Sequence, residues 1–151
     1  MNGSDYTILL VEDEENDALL MKRAFKKSGI LNPVQWMRDG LEAIDYLKGK
    51  NEFADRARFP FPEVVLLDLK MPRMGGLELL TWIRDHPETR VIPTIVMSSS
   101  REDVDIERAY NLGANTYMMK PADFDTLAKM VKATHDYWAM SVKPKPKLAK
   151  L

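Results

Sequence analysis

Val64-Val65-Leu66-Leu67-Asp68-Leu69-Lys70-Met71-Pro72 decides how the rest of the chain is read. Apolar residues, two of them β-branched valines, run straight into a single carboxylate, and Pro72 stops the run from continuing as strand or helix. A short continuous apolar run reads as a strand buried on both faces, the habit of parallel sheets. Asp68 is thereby placed at the carboxyl end of a central strand, the edge where open α/β sheets bind ligands. Taken alone the motif is weak, because an Asp after an apolar run also serves as a turn or cap residue. Its weight depends on what the other strand ends carry.

Outward from this stretch, Tyr6-Thr7-Ile8-Leu9-Leu10-Val11 reads as a strand ending in the acidic cluster Glu12-Asp13-Glu14-Glu15. Glu15 to Lys27 carries Ala18, Met21, Ala24 and Phe25 at helical spacing and stops at Ser28-Gly29. The helix dipole accounts for Glu14 and Glu15 in a first turn and for Lys26-Lys27 in a last one, but less well for Glu12 and Asp13, which leave the strand directly. Val34-Gln35-Trp36-Met37 is a second strand, and Gly40 to Lys48 a second helix with Leu41, Ile44 and Leu47 on one side. Residues 49–62 read as a long irregular connection.

Past Asp68 and the loop Met71-Pro72-Arg73-Met74-Gly75-Gly76, Leu77 to Arg84 is a third helix with Leu77, Leu80 and Trp82 or Ile83 inward. Thr94-Ile95-Val96-Met97 is a fourth strand, ending in Ser98-Ser99-Ser100, and Ser100 with Asp103 resembles a capping box for a helix to about Leu112. Thr116-Tyr117-Met118-Met119 is the fifth strand, ending at Lys120-Pro121, and Asp123 caps a last helix to about Met140. The tail, residues 141–151 with Lys143-Pro144-Lys145-Pro146-Lys147, has no core-forming pattern and is expected to be extended or disordered.

Strands alternating with helices imply an α/β fold: a single doubly wound five-stranded parallel sheet with helices on both faces, because right-handed crossovers put them there. The 151 residues fit one domain, assigned to 1–140. A net charge of −1 gives no global attraction to nucleic acid or to an anionic membrane. With no cysteine, disulfides and thiolate metal sites are excluded. No apolar run approaches membrane length, and the polar start does not suit a signal peptide, so a soluble cytoplasmic protein is expected.

In such a sheet the strand carboxyl ends share one edge, which collects Glu12, Asp13, Asp68, Ser98 and Lys120. Clustered carboxylates raise one another's pKa unless a cation sits among them. Oxygen donors without histidine suit Mg²⁺, which neutralises charge on an incoming phosphoryl group. A carboxylate can then act as nucleophile and form an aspartyl phosphate. Lys120 is placed to pair with one phosphoryl oxygen and the Ser98 hydroxyl to donate to another. No general base is evident, which favours accepting a phosphoryl group over rapid hydrolysis.

These residues resemble the receiver domains of two-component response regulators over about Thr7 to Trp138. The motifs that carry the likeness are Leu-Val-Glu-Asp-Glu at Leu10 to Glu14, Leu-Leu-Asp-Leu-Lys-Met-Pro-Arg-Met-Gly-Gly at Leu66 to Gly76, and Gly-Ala-Asn-Thr-Tyr-Met-Met-Lys-Pro at Gly113 to Pro121. The resemblance implies Asp68 as phosphoacceptor, Glu12 and Asp13 as the acidic metal pair, and the Lys70 backbone carbonyl as the third metal ligand. It further implies Ser98 as switch hydroxyl, Tyr117 as switch aromatic and Lys120 as the phosphoryl-binding lysine. A flavodoxin-like strand order 2-1-3-4-5, an order for which receiver proteins are a standard illustration, and a cis Lys120-Pro121 bond are expected with it.

Two features depart from a minimal receiver. Asp13 and Asp68 are 68 − 13 = 55 residues apart, the excess falling in the insertion at 49–62. With an aromatic-ended last helix and no output domain, this resembles the stand-alone regulators paired with bacterial phytochrome kinases. Lys70 replaces a smaller polar residue common in that group, which bears on phosphoryl lifetime and not on a metal ligand supplied by the backbone. The expected partners are a sensor histidine kinase, a downstream protein and a second copy of the chain. The homodimer is expected through the last helix, whose Met130, Ala133, Tyr137 and Met140 lie opposite the core-facing Phe124, Leu127, Ala128, Val131 and Trp138. Two rivals are an aspartate-nucleophile phosphohydrolase, which needs a second acid/base carboxylate that Leu69 and Lys70 do not supply, and a receiver-like scaffold that works without phosphorylation.

Overall fold

The computed structural model describes residues 6–142 and 144. In chain order its elements are β1 (Ile8–Val11), α1 (Glu15–Lys27), β2 (Val34–Met37), α2 (Gly40–Lys48), a short 3₁₀ helix (Asn51–Ala54), β3 (Val64–Leu67), α3 (Gly76–Asp85), β4 (Thr94–Ser98), α4 (Asp103–Asn111), β5 (Thr116–Met119) and α5 (Phe124–Ala139). The strands form one parallel sheet in the order β2-β1-β3-β4-β5.

Period-two alternation between two covered faces explains why β1 and β3 are apolar throughout and β4 is apolar between Thr94 and Ser98. Leu9, Val11, Val65, Leu67 and Val96 point to the side covered by α2, α3 and α4, where they meet Leu47, Leu79, Leu80, Ile83 and Ala109. Ile8, Leu10, Val64, Leu66, Ile95 and Met97 point to the side covered by α1 and α5, against Met21, Phe25, Ala128 and Val131. Every one of these residues is buried, so no position in β1 or β3 is free to carry a polar group until the strand ends.

Register then fixes which ends meet. Val11 lies beside Leu67 and Met37, and Leu67 beside Val96, so Glu12 and Asp68 emerge at the same level. Ser98 pairs with Met119, which brings Lys120 out immediately above. The loop after Asp68 is held close to the backbone: the Gly76 N–H donates to the Leu69 carbonyl at 2.9 Å. A Cβ on Gly76 would collide with the Asp68 carbonyl oxygen and lie 2.7 Å from the Leu69 Cα, so glycine is required there by space.

Four sequence expectations need correction. Leu41 is exposed, and the inward face of α2 is formed by Ala43, Ile44, Tyr46 and Leu47 instead. Ser100 does not cap α4, which begins after Glu102 without a side-chain cap. The Ser100 hydroxyl instead donates to Asp105 Oδ2 at 2.6 Å, a side chain in the first turn of α4. No peptide is cis among the described residues, Lys120-Pro121 included. Lys120 N–H continues the ladder by donating to the Ser98 carbonyl at 2.8 Å. That extended course suits the residue before a proline and a trans bond, the X–Pro ground state by about 0.5–1 kcal/mol.

The insertion, finally, is organised rather than irregular. Tyr46 is fully buried and donates its hydroxyl to the Pro60 carbonyl at 2.6 Å. Phe53 packs on Tyr46 and on Phe59 at ring distances of 5.1 Å. Arg56 donates to the Tyr46 and Leu47 carbonyls at 2.9 and 3.0 Å, tying the insertion to the last turn of α2. The last helix follows expectation: Asp123 caps it by accepting from Thr126 N–H at 2.9 Å, and Ala128 and Val131 are buried with Phe124, Leu127 and Trp138 beside them. Of the tail, Lys143 and residues 145–151 lie outside the described residues.

Candidate functional site

The sheet edge gathers the expected residues. One carboxylate oxygen each from Glu12, Asp13 and Asp68 lies within 4.8 Å of the others. Glu12 and Asp68 are buried, which is costly for carboxylates unless charge or hydrogen bonds compensate. Lys120 Nζ supplies the compensation unevenly: it donates to Glu12 Oε1 at 2.6 Å and Asp17 Oδ2 at 3.0 Å, and lies 3.7 Å from Asp68 Oδ1. Glu12 Oε2 also accepts from Glu14 N–H at 3.2 Å, and the Glu12 carbonyl accepts from the Trp36 indole at 2.7 Å, fixing the loop that carries the acidic pair.

The protonation equilibria reflect this crowding. Burial raises the Glu12 carboxyl to about 7, with Asp68 adding to the effect and the Lys120 hydrogen bond opposing it. Asp68 is likewise raised, by burial first, with Lys120 pulling the other way and Asp13 and Asp17 pushing it up. For Lys120 burial works against the charge, but the hydrogen bond to Glu12 and the charges of Asp68 and Glu12 outweigh it and hold the ammonium above the usual lysine range.

Asp13 Oδ1 is buried with no hydrogen-bond partner. Together with its two carboxylate neighbours it forms a set of hard oxygen donors whose lysine is drawn partly aside, toward Glu12 and Asp17. That donor chemistry fits a hard divalent cation. Lys70 is exposed beyond Asp68, consistent with a position whose side chain takes no part in such a set.

Ser98 and Tyr117 are joined through Ser100. The buried Ser98 Oγ accepts from Ser100 N–H at 3.1 Å, and the Tyr117 hydroxyl donates to the Ser100 carbonyl at 2.9 Å. With the Ser100–Asp105 bond, this makes a continuous path from the end of β4 to α4 and β5. Sequence reasoning placed Ser98 and Tyr117 but missed Ser100, Asp17 and Trp36 as contacts of the site. The Asp17–Lys120 pair spans 103 positions, so local pattern carries no trace of it.

The raised Glu12 pKa has a consequence for stability. A folded carboxyl that binds its proton more tightly than the unfolded one makes stability fall as pH rises between the two pKa values. In chelator, the protein is expected to lose stability from about pH 4.5 to about 7, the ordinary and folded Glu12 values. Glu12→Gln should flatten that part of the profile in urea unfolding. An unchanged slope would show that Glu12 is not the group responsible.

Residues 8–132 match the family described as the response regulator receiver domain. The chain is 39% identical over 133 residues to the probable methanogenesis regulatory protein FilR2 of Methanothrix harundinacea, covering 88% of this chain and 83% of that one. It is 34% identical over 135 residues to response regulator Rcp1 of a Synechocystis strain, covering 89% and 90%. The phosphorylated cyanobacterial phytochrome response regulator RcpA superimposes with a TM-score of 0.85 at 34% identity, covering 93% of this chain and 99% of that one. The Mn²⁺-bound form of Rcp1 does so at 0.80 and 34% identity, covering 92% and 99%. With the strand order, the edge residues and these likenesses in agreement, the chain belongs to the response regulator receiver domains of two-component signalling.

Proposed function

We propose that the chain accepts a phosphoryl group on Asp68 from a sensor histidine kinase, in a Mg²⁺-dependent reaction, and relays the event through its α4–β5–α5 surface. The observation that carries this reading is the convergence of Glu12, Asp13, Asp68 and Lys120 at one sheet edge with an unpartnered Asp13 oxygen. Asp13, Asp68 and the Lys70 carbonyl would hold the metal, with Glu12 engaging it through water. The bound cation would supply neutralising charge for the phosphoryl oxygens.

In the transfer, an Asp68 oxygen forms the new O–P bond as the donor's P–N bond breaks. The electron pair remains on the donor nitrogen, and Asp68 gains no proton. Lys120 moves to one phosphoryl oxygen and the Ser98 hydroxyl donates to another. Leu69 is buried and apolar, and Lys70 is an exposed cation, so neither supplies the acid/base carboxylate of a phosphohydrolase. This supports a signalling protein whose receiver unit occupies 1–140 and whose self-catalysed dephosphorylation is slow.

Phosphorylation adds about −1.5 to −2 charge at one point. Ser98, drawn to it, gives up the Ser100 N–H, and Tyr117 loses its fixed carbonyl partner, so α4 and β5 shift together. The likeness to RcpA and Rcp1 supports a phytochrome-type kinase as the donor, and with it a cytoplasmic location. No helix among the described residues is long and apolar enough to cross a membrane. The outward side of α5, where Tyr137 is 68% and Met140 83% exposed, supports a homodimer contact next to the switching surface.

Incubation with a small phosphodonor and Mg²⁺, read by intact mass, should add one phosphoryl group to the wild type and none to Asp68→Asn, which keeps the shape and loses the nucleophile. Continuous release of free phosphate would support the hydrolase instead, and an unmodified wild type the scaffold. For the dimer, Tyr137→Asp should lower the sedimentation coefficient and its dependence on concentration. A variant that sediments like the wild type, both with and without a phosphoryl mimic, would remove α5 as the contact.

A further inference from the structure

Asp17 stands in the first turn of α1 and has no part in the phosphoacceptor chemistry described above. Its Oδ2 nevertheless accepts from Lys120 Nζ at 3.0 Å, closer than the 3.7 Å that separates the ammonium from Asp68 Oδ1. We propose that Asp17 is a positioning residue: it holds the Lys120 ammonium back from Asp68 in the unphosphorylated protein and releases it to the arriving phosphoryl group, restraining the rate at which Asp68 is loaded.

The inference rests on the phosphoacceptor reading and deepens it. An ammonium has three donors, and here Glu12 and Asp17 hold it at hydrogen-bond distance while Asp68 does not. Of the carboxylates around Lys120, Asp17 is the most open to water, with its side chain 42% exposed against 5% for Glu12 and 10% for Asp68. Its hold is therefore weaker than that of the buried Glu12 and the first to yield when a new anion appears. The Asp17 charge is also felt at Asp68 itself, where it adds to the raised pKa, and it lies within a Debye length of any anionic donor entering the edge. Both effects slow loading. In the step itself Lys120 exchanges one anion for another: the O–P bond to Asp68 forms, the donor's bond to phosphorus breaks with its electron pair, and no proton is transferred.

Asp17→Asn removes the charge while keeping the side chain's size, and Glu15→Gln serves as control. Glu15 is an exposed acid in the same first turn, so the control removes the same charge from the same helix end. With acetyl phosphate and Mg²⁺, loading followed by intact mass should be about fivefold faster in Asp17→Asn, the order expected of a half-exposed ion pair, and nearly unchanged in Glu15→Gln. The ¹⁵N resonance of the Lys120 ammonium in the unphosphorylated protein should shift in Asp17→Asn and stay in place in Glu15→Gln. Loading of Asp17→Asn at the wild-type rate or slower, or a gain matched by Glu15→Gln, would overturn the proposal. A wild type that takes up no phosphoryl group defeats the phosphoacceptor reading on its own and, with it, any role for Asp17 in loading. The Lys120 resonance then still reports whether Asp17 holds the ammonium.

Discussion

Three carboxylates forced together at the end of a buried sheet, with one ammonium among them, are the constraint on which the site depends. In water such a cluster would disperse. Here Glu12 and Asp13 follow directly from β1 and Asp68 from β3, strands buried on both faces, so the charges cannot move apart without breaking the register that aligns Val11 with Leu67. The fold stores an electrostatic imbalance and presents it at one edge. A cation or a change of protonation relieves it, and under the proposed function a phosphoryl group on Asp68 would redistribute the positive charge that remains.

The surrounding structure keeps the imbalance in place. Gly76 lets α3 start against the Asp68 carbonyl. The following loop is locked on its other side: the Gly40 N–H donates to the Met74 carbonyl at 3.1 Å, and Arg73 donates to the buried Asp39 at 2.7 Å. Asp39 in turn caps α2 through Glu42 N–H. The loop that follows Asp68 is therefore continuous with α2 and its aromatic insertion. On the other side of Asp68, the hydrogen bonds of Ser98, Ser100 and Tyr117 form the path along which the proposed signal would leave. With rigidity on one side and a chain of single hydrogen bonds on the other, a local charge change at Asp68 would be read out at α4 and β5.

Much of this was legible in the sequence because the information is one-dimensional. An apolar run that ends in Asp68, repeated as Val11-Glu12 and Met119-Lys120, marks buried strands and their shared edge without any knowledge of packing. Asp123 caps α5 as its position suggests, because capping is a contact between near neighbours. Ser100 misled for the complementary reason. A serine three residues before an acid fits a capping box, yet its hydroxyl was captured by Asp105 and its carbonyl by Tyr117, partners whose positions depend on how α4 and β5 pack. The insertion read as irregular because its order comes from Arg56 and Tyr46 reaching across the end of α2. Asp17 drew no notice in the sequence, because only the folded chain brings Lys120 to it.

The central claim is that the clustered carboxylates leave a charge deficit which a divalent cation fills through Asp13. Urea unfolding with and without Mg²⁺ tests it most directly. At a Mg²⁺ concentration about one hundred times the dissociation constant, the wild type should gain about 2.7 kcal/mol. At the same concentration Asp13→Ala, with affinity lowered at least tenfold, should gain about 1.4 kcal/mol or less. An equal gain in both proteins, or none in the wild type, would contradict the account.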